Sequence, residues 1–202
     1  MNELEKKIQD TIWAAKSLFE RGKTAGSSAN ISFRHEDRVY ISGSGTCFGR
    51  LRPEDFSVTD MEGNLIQGLR PSKELPLHLA LYRKSEDIGG VVHTHSFYTT
   101  LWSCLHHENP DDIIPHITPY LEMKVGKIAL VPYAPPGSKE LFAHMDERIG
   151  RGDGFVLKNH GPIIGGKTIM DAFYGIEELE ESAKMAWYLR KESDDVYDRI
   201  GK

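Results

Sequence analysis

The sequence has no long apolar segment. No run of apolar residues approaches the roughly 20 that an α-helix needs to cross a bilayer. Residues 1–16, MNELEKKIQDTIWAAK, alternate charged and apolar side chains at helical spacing and lack the apolar stretch of a secretory signal peptide. We therefore expect a cytoplasmic protein that has no membrane partner.

Cysteine is scarce, and positive charge is not in excess. The two cysteines, Cys47 and Cys104, are too few for a disulfide framework, which agrees with a reducing compartment. The net charge is −5, with both signs interspersed, whereas a nucleic-acid surface needs clustered lysine and arginine. A chain of 202 residues is long enough for one substantial core. These properties predict a globular protein without a nucleic-acid partner.

Common nucleotide-binding motifs are scarce. The chain has no GxGxxG that leads from a strand into a helix, and GxxxxGK[ST] matches once, as GPIIGGKT at 161–168. Three segments instead have the composition of a site for a single phosphate: GSSAN at 26–30, SGSG at 42–45, and Ser72–Lys73 at the predicted first turn of a helix. Backbone N–H groups and a helix N-terminus favour an anion. These three segments predict a small molecule with one phosphate as the ligand.

Residue periodicity predicts helices and strands mixed along the chain. Residues 4–21 place apolar side chains three or four apart, which indicates an amphipathic helix that ends at Gly22. The other predicted helices cover 73–84 with Ser72 as N-cap, 96–107, 138–150, and 168–190, the last with an acidic face of Glu177, Glu178, Glu180 and Glu181. Predicted strands lie within 29–34, 38–42, 89–96, 127–133 and 154–161, and 53–68 reads as a hairpin that turns at Glu62-Gly63-Asn64.

This order of elements lacks the strict alternation of a doubly wound parallel sheet. We predict one α/β domain over residues 1–202, with a largely antiparallel central sheet and helices packed on it. Its core spans about 5–190, and a polar tail begins at about residue 192.

Histidines follow two apolar strands. His93 and His95, in VVHTHS, are two apart, and side chains at i and i+2 of a strand point to the same face. His160 follows the apolar run FVL and precedes Gly161, which permits a tight turn and close backbone approach. The pair alone fits exposed strand histidines equally well, but three imidazoles suit a divalent transition ion, with Zn²⁺ the first choice and Mn²⁺ or Co²⁺ as alternatives. Glu74, at the start of its helix, is a candidate fourth ligand or catalytic base.

Five short motifs in a fixed order, GSSANIS, ISGSG, PSKELPLH, VVHTHS and NHG, resemble the class II aldolase/adducin family over roughly residues 5–190. The resemblance implies an antiparallel-rich α/β fold and a homotetramer with active sites at subunit interfaces. It implies one zinc ion per subunit, held by His93, His95 and His160, with Glu74 as the catalytic acid/base that also takes the metal's fourth position. The positions that match the substrate-phosphate loops are Asn30, Ser44, Gly45, Ser72 and Lys73.

Longer stretches, including GSGTCFGRLRPEDFS, PSKELPLHLALYR, TPYLEMKVGKIALVPYAPPGS and EELEESAK, are similar to the 3-oxo-tetronate 4-phosphate decarboxylases of that family. Aldolases commonly have a second serine where this chain has Lys73, a point charge suited to a phosphate or a substrate carboxylate. The resemblance implies loss of CO₂ from a 3-oxo acid to leave an enediolate, which a divalent cation stabilises. Glu74 or Tyr120 would then protonate the carbon to give dihydroxyacetone phosphate.

Other functions remain open from the sequence. A fuculose- or ribulose-phosphate aldolase, or a ribulose-phosphate 4-epimerase, would use the same metal site. A non-catalytic scaffold like the adducin head would keep the fold without the chemistry, and the retained histidines and Glu74 argue against it. Tyr120 and His116, in IIPHITPY, are candidates to reach a neighbouring subunit's site, with packing at a strand edge as the alternative.

Overall fold

The computed structural model describes residues 2–191, and the predicted polar tail lies outside them. Within that range the strands are β1 (Asn30–His35), β2 (Arg38–Ser42), β3 (Phe56–Thr59), β4 (Leu65–Gly68), β5 (Gly90–His93), β6 (Ile128–Val131), β7 (Gly154–Leu157) and β8 (Gly161–Gly166). The α-helices are α1 (Glu3–Glu20), α2 (Leu75–Lys84), α3 (Phe97–Ser103), α4 (Tyr120–Lys124), α5 (Lys139–Arg148) and α6 (Ile169–Leu189). No helix in the described range is both long and apolar enough to cross a membrane.

The strands form one sheet in the order β4-β3-β2-β1-β5-β8-β7-β6. All neighbouring pairs are antiparallel except β6 and β7, which are parallel. Successive strand residues point to opposite faces, so Val92 packs in the apolar cluster that includes α1, α3 and α6, while Val91 packs with α2 and α5. The predicted α/β fold with a mostly antiparallel sheet and flanking helices is confirmed.

Local signals explain several boundaries that the sequence predicted. Helix α1 begins at Glu3, its N-cap Asn2 forms a capping box with Glu5, and the chain leaves the helix through Gly22 at φ +68°. The β3–β4 hairpin turns at Gly63, where φ is +90°, and Asp60 Oδ1 accepts the Asn64 N–H at 2.7 Å. These elements follow from residues close together in sequence, which is why their patterns predict them.

The prediction of one strand over 154–161 is wrong. Strand β7 ends at Leu157, and a turn leads into β8, a strand that the sequence reading missed because GPIIGG is rich in residues that rarely form strands. The packing of α6 on the sheet explains the glycine at the end of β8. A Cβ on Gly166 would lie 2.5 Å from the Ala172 nitrogen in α6, so only glycine allows this helix to approach. His160 therefore lies in the turn between β7 and β8.

The prediction of Ser72 as the N-cap of α2 is also wrong. The helix begins at Leu75, with Glu74 as N-cap. Pro76 lies in the first turn, where its missing N–H needs no partner, and this shifts the helix start two residues along the chain. Ser72 Oγ instead accepts the Glu74 N–H at 3.3 Å. Ser72 and Lys73 thus lie in a turn that precedes the helix.

The acidic face predicted on α6 is partly internal. Glu180 is buried, and its carboxylate accepts hydrogen bonds from the Tyr98 N–H, the Thr99 N–H and the Thr99 hydroxyl at 2.8–3.0 Å. These donors are the first turn of α3, whose N-cap residue makes no side-chain capping bond. A carboxylate suits a helix N-terminus, so Glu180 anchors α3 and the segment that enters it.

Candidate metal centre and active site

Three histidine side chains converge at one edge of the sheet. The ring centroids of His93 and His160 are 4.8 Å apart, those of His95 and His160 4.7 Å, and those of His93 and His95 5.2 Å. Each histidine offers a ring nitrogen, and these atoms lie within 4.8 Å of one another. The predicted trio is therefore together, although β5 ends at His93. His95 reaches the centre from the segment before α3, and the same-face strand argument does not apply to it.

His93 is held in one orientation. Its Nδ1–H donates to the Pro162 carbonyl oxygen at 2.8 Å, so Nε2 is the nitrogen that faces the other histidines. Burial, and then the neighbouring His95, lower the pKa of His93 to about 3. The imidazole is neutral at ordinary pH, which is the form that binds a metal ion.

His160 is placed by the turn between β7 and β8. Its backbone N–H donates to the Leu157 carbonyl at 3.1 Å, and its carbonyl accepts the Thr100 hydroxyl at 3.2 Å. Burial, and then the neighbouring His93, lower the pKa of His160 to about 3. At Gly161 a Cβ would lie only 2.1 Å from the Thr94 carbonyl oxygen, so glycine lets the two histidine-bearing segments meet.

Replacement of Gly161 with alanine should force these segments apart. The Cβ clash involves backbone on both sides and φ is +157°, so neither segment can yield easily. We expect a loss of about 2–4 kcal/mol in the free energy of unfolding, which lowers the melting temperature by about 4–16 °C in a chain of this size. Thermal unfolding measures the effect. Gly150→Ala is the matched control, because a Cβ there meets no atom within 4 Å. An equal fall in melting temperature in both variants would contradict the account.

Glu74 lies against the histidines and is almost fully buried. Its Oε2 is 3.4 Å from His93 Nε2, and its Oε1 is 3.4 Å from His160 Nε2. Asn30 Nδ2 donates to Oε2 at 2.9 Å. Glu74 is thus placed to share a cation with the histidines and to present one free oxygen.

Several buried polar atoms of this centre have no hydrogen-bond partner among residues 2–191: Glu74 Oε1, His93 Nε2, His95 Nε2 and His160 Nδ1. An unpartnered buried polar atom costs about 1–3 kcal/mol, so a cluster of them would be unfavourable unless something binds there. Neutral imidazoles beside a carboxylate suit a divalent cation such as Zn²⁺. The residues therefore fit the predicted metal ion.

A cavity of about 280 Å³ opens at this centre. Its lining includes Glu74, His95 and His160 and residues from all three segments predicted to bind phosphate, among them Asn30, Ser44, Gly45, Ser72 and Lys73. The structure thus brings together every predicted site residue on these segments. Ser44 N–H already donates to the Arg70 carbonyl at 2.8 Å, which leaves its hydroxyl for a ligand.

Lys73 adds a positive charge to this cavity. Its stem packs on Gly137, where a Cβ would lie 2.7 Å from Lys73 Cδ. Burial lowers the pKa of His95, while the nearby Glu74 carboxylate raises it and the Lys73 ammonium lowers it. Among the described residues, no carboxylate forms an ion pair with Lys73. The ammonium is therefore available to an anionic ligand.

Tyr120 and His116 are not in the lining of this cavity. Tyr120 begins α4, a short helix that the sequence reading did not predict, and its side chain is 58% exposed. His116 bonds to Asp112 at 2.8 Å, and this bond raises the pKa of His116. Packing at a strand edge is thus wrong for Tyr120. A role at a neighbouring subunit's site stays a prediction for both residues.

Sequence reasoning missed the buried polar residues behind Glu74, namely Ser32, His78 and Tyr82. One signal was present: His78 follows Glu74 by four residues within LPLHLALYR, where its neighbours in sequence are apolar. A polar side chain on the buried face of a helix needs hydrogen-bond partners, so it marks an internal polar contact.

The chain is similar to known proteins over nearly its whole length. It matches the family described as the class II aldolase and adducin N-terminal domain over residues 9–187. It is 42% identical to a 3-oxo-tetronate 4-phosphate decarboxylase of Haemophilus influenzae, covering 89% of this chain and 86% of the relative. It is 38% identical to an L-fuculose phosphate aldolase of Methanococcus maripaludis, covering 90% and 97%. The crystal structure of YgbL from Escherichia coli superposes with a TM-score of 0.89 at 34% identity, covering 95% and 92%.

Proposed function

Because this chain belongs to the class II aldolase and adducin family, we propose that it is a metal-dependent lyase that converts 3-oxo-tetronate 4-phosphate to dihydroxyacetone phosphate and CO₂. The observation that carries the proposal is one cavity, next to the three-histidine centre, that is lined by His95, His160, Glu74, the small-residue loops and Lys73. The decarboxylases among its relatives, at 35–42% identity, support this choice of reaction.

In this proposal His93, His95 and His160 hold one divalent cation per subunit, with Zn²⁺ the first choice and Glu74 in the fourth position. The unpartnered nitrogen atoms of the centre support the assignment. When bound, the cation supplies Lewis-acid stabilisation of the negative charge that develops on the substrate. The protein's part is to keep the imidazoles neutral and oriented, as the bond from His93 Nδ1 to Pro162 does.

Side chains of this protein would assist the bond cleavage and the proton transfer that follows it. The bond between the carboxylate carbon and C2 breaks, CO₂ leaves, and the electron pair passes into an enediolate. A proton delivered to C2 then gives dihydroxyacetone phosphate. Glu74 suits this transfer because it lines the cavity and its Oε1 has no hydrogen-bond partner among the described residues. Tyr120, from a neighbouring subunit, is the second candidate for this proton.

The anionic groups of the substrate are assigned to the loops. We propose that the Ser44 and Ser72 side chains, the backbone at Gly45 and the second Asn30 N–H surround the phosphate. Lys73 would bind a negative charge of the substrate, either the phosphate or the carboxylate. This assignment agrees with the resemblance-based prediction for all five residues.

We also propose a cytoplasmic homotetramer with active sites at subunit interfaces. The exposed Tyr120 side chain supports it, since a tyrosine that serves catalysis must reach a cavity of another subunit when it does not reach its own. The family resemblance points in the same direction.

The second candidate function is an aldolase for L-fuculose phosphate or a similar ketose phosphate. The Methanococcus maripaludis relative supports this alternative. An aldolase passes through the same enediolate, so the metal centre and Glu74 serve both reactions equally. Lys73 favours the decarboxylase, because a substrate with both a carboxylate and a phosphate carries more negative charge.

The direct test is product analysis with purified metal-loaded protein. Dihydroxyacetone phosphate is measured from 3-oxo-tetronate 4-phosphate and, separately, from L-fuculose 1-phosphate. We expect kcat/KM for the sugar acid to exceed that for the ketose phosphate by at least about 100-fold, a difference of about 2.7 kcal/mol in barrier. The opposite ranking would assign the aldolase, and no product from either substrate would overturn both.

Replacement of Lys73 with methionine should weaken binding of the doubly anionic substrate. Methionine keeps most of the stem that packs on Gly137 and removes the charge. Because the Lys73 side chain is exposed, we expect a moderate rise in KM, about 5- to 20-fold, with a smaller change in kcat. Lys139→Met, on the exposed surface of α5, is the control. An unchanged KM in Lys73→Met would remove Lys73 from substrate binding.

A further inference from the structure

A chain of buried polar side chains extends from Glu74 into the protein interior. Asn30 Nδ2 is 2.9 Å from Glu74 Oε2, and Asn30 Oδ1 is 2.6 Å from His78 Nε2. His78 Nδ1 is 2.7 Å from Ser32 Oγ, which is itself 2.7 Å from the Tyr82 hydroxyl. All five side chains are buried, and the chain of contacts leads away from the cavity.

The hydrogen bonds in this chain have only one consistent direction. A carboxylate accepts and cannot donate, so the Asn30 NH₂ group faces Glu74 and its carbonyl oxygen faces His78. His78 must then carry its proton on Nε2. Full burial, and then the neighbouring His93, lower the pKa of His78 to about 3, so the ring is neutral and its Nδ1 accepts from the Ser32 hydroxyl.

Tyr82 completes the series. The Ser32 hydroxyl donates its hydrogen bond to His78 Nδ1, so Ser32 Oγ accepts from the Tyr82 hydroxyl. Burial raises the pKa of Tyr82, which keeps it a donor. Each member thus fixes the orientation of the next, and the last bond ends on one particular oxygen of Glu74.

That end point distinguishes the two oxygens of Glu74. Oε2 accepts the hydrogen bond from Asn30, whereas Oε1 is buried and has no hydrogen-bond partner in the described part of the chain. If the Asn30 amide turned over, its carbonyl oxygen would face the carboxylate and repel it. The carboxylate could then rotate, and the 3.4 Å approach of Oε1 to His160 Nε2 would no longer be fixed.

We propose that His78 is a positioning residue that, with Ser32 behind it, locks the Asn30 amide and so leaves Oε1 of Glu74 as the oxygen that transfers the proton. The choice of assay rests on the proposed lyase reaction, but the orientation of His78 does not. His78 acts through Asn30 and does not contact the cavity.

Two substitutions at the same position separate positioning from packing. His78→Gln keeps a side-chain N–H that can reach Asn30, while His78→Met has similar bulk and no donor. Loss of such supporting contacts typically lowers activity by about 10- to 100-fold, and we expect that loss in kcat of His78→Met, with KM and metal content unchanged. His78→Gln should stay within about fivefold of the wild type.

Equal losses in both variants, or no loss in His78→Met, would overturn the proposal. If His78→Met does not fold, Ser32→Ala decides, because it removes the donor to Nδ1 at almost constant volume. We then expect kcat to fall by about 3- to 10-fold at constant KM. An unchanged kcat in Ser32→Ala would contradict the role.

An activity-independent readout tests the orientation itself. Long-range ¹H–¹⁵N NMR reports which ring nitrogen of a histidine carries the proton, and His78→Gln assigns the signal. We expect a neutral His78 ring protonated on Nε2 near neutral pH, with or without Zn²⁺. A proton on Nδ1 would overturn the proposal even if the enzyme is a decarboxylase. The expected tautomer without decarboxylase activity would leave the positioning role standing and reject only the assigned substrate.

Discussion

Replacing His95 with alanine is expected to leave a folded protein that no longer retains its metal ion and whose kcat is lower by at least about 1000-fold, a loss of about 4 kcal/mol in transition-state stabilisation. His95 is only partly buried, and its Nε2 makes no hydrogen bond in the described protein. The truncation therefore removes a ligand without breaking a contact of the fold. Metal content per subunit and steady-state kinetics measure the two effects.

The control for His95 is another histidine. His106 is exposed, lies beyond the end of α3 and does not line the cavity. His106→Ala should keep full metal content and kcat. A His95→Ala protein that retained one ion per subunit and normal turnover would show that the three-histidine centre is not the site of the metal.

Replacing Glu74 with glutamine is expected to keep the metal ion and to lower kcat by about 10²- to 10⁴-fold, the usual contribution of a general acid/base. The amide has the same shape, and its oxygen can still accept the N–H of Asn30 that now bonds to Oε2. It then places an NH₂ group at the position of the free Oε1. That group cannot exchange a proton with the substrate carbon.

Metal content and kcat are again measured together. A lower kcat at unchanged metal content identifies Glu74 as a catalytic residue. Glu147→Gln, on the exposed side of α5, is the matched control and should behave like the wild type. Full activity in Glu74→Gln would remove Glu74 from the mechanism and leave Tyr120 as the candidate proton donor. Loss of metal along with activity would make Glu74 a ligand without a demonstrated catalytic part.

The sequence predicted the parts of the site that depend on residue type. Imidazoles after apolar strands, Gly161 beside His160 and a carboxylate near a helix start all carry local signals. The structure brings them together as expected, and the antiparallel sheet that unites them was also predicted. Short motifs in a fixed order identified the family, because the residues of these motifs come together only in the folded protein.

The remaining features depend on contacts between distant parts of the chain. Strand β8 forms from GPIIGG because α6 packs closely against Gly166, and no local propensity indicates this. The sequence predicts Glu180 as part of an acidic helix face, yet its carboxylate caps α3 across 81 residues. The hydrogen bonds of His78 to Asn30 and Ser32 likewise span 48 and 46 residues.

The central claim is that the three histidines hold a metal ion on which turnover depends. The most direct measurement is to strip the purified protein with a chelator and then titrate Zn²⁺ back while following release of dihydroxyacetone phosphate from 3-oxo-tetronate 4-phosphate. The account predicts that the stripped protein is folded and inactive, and that activity returns in proportion to added metal up to one ion per subunit. Full activity in the metal-free protein would contradict it.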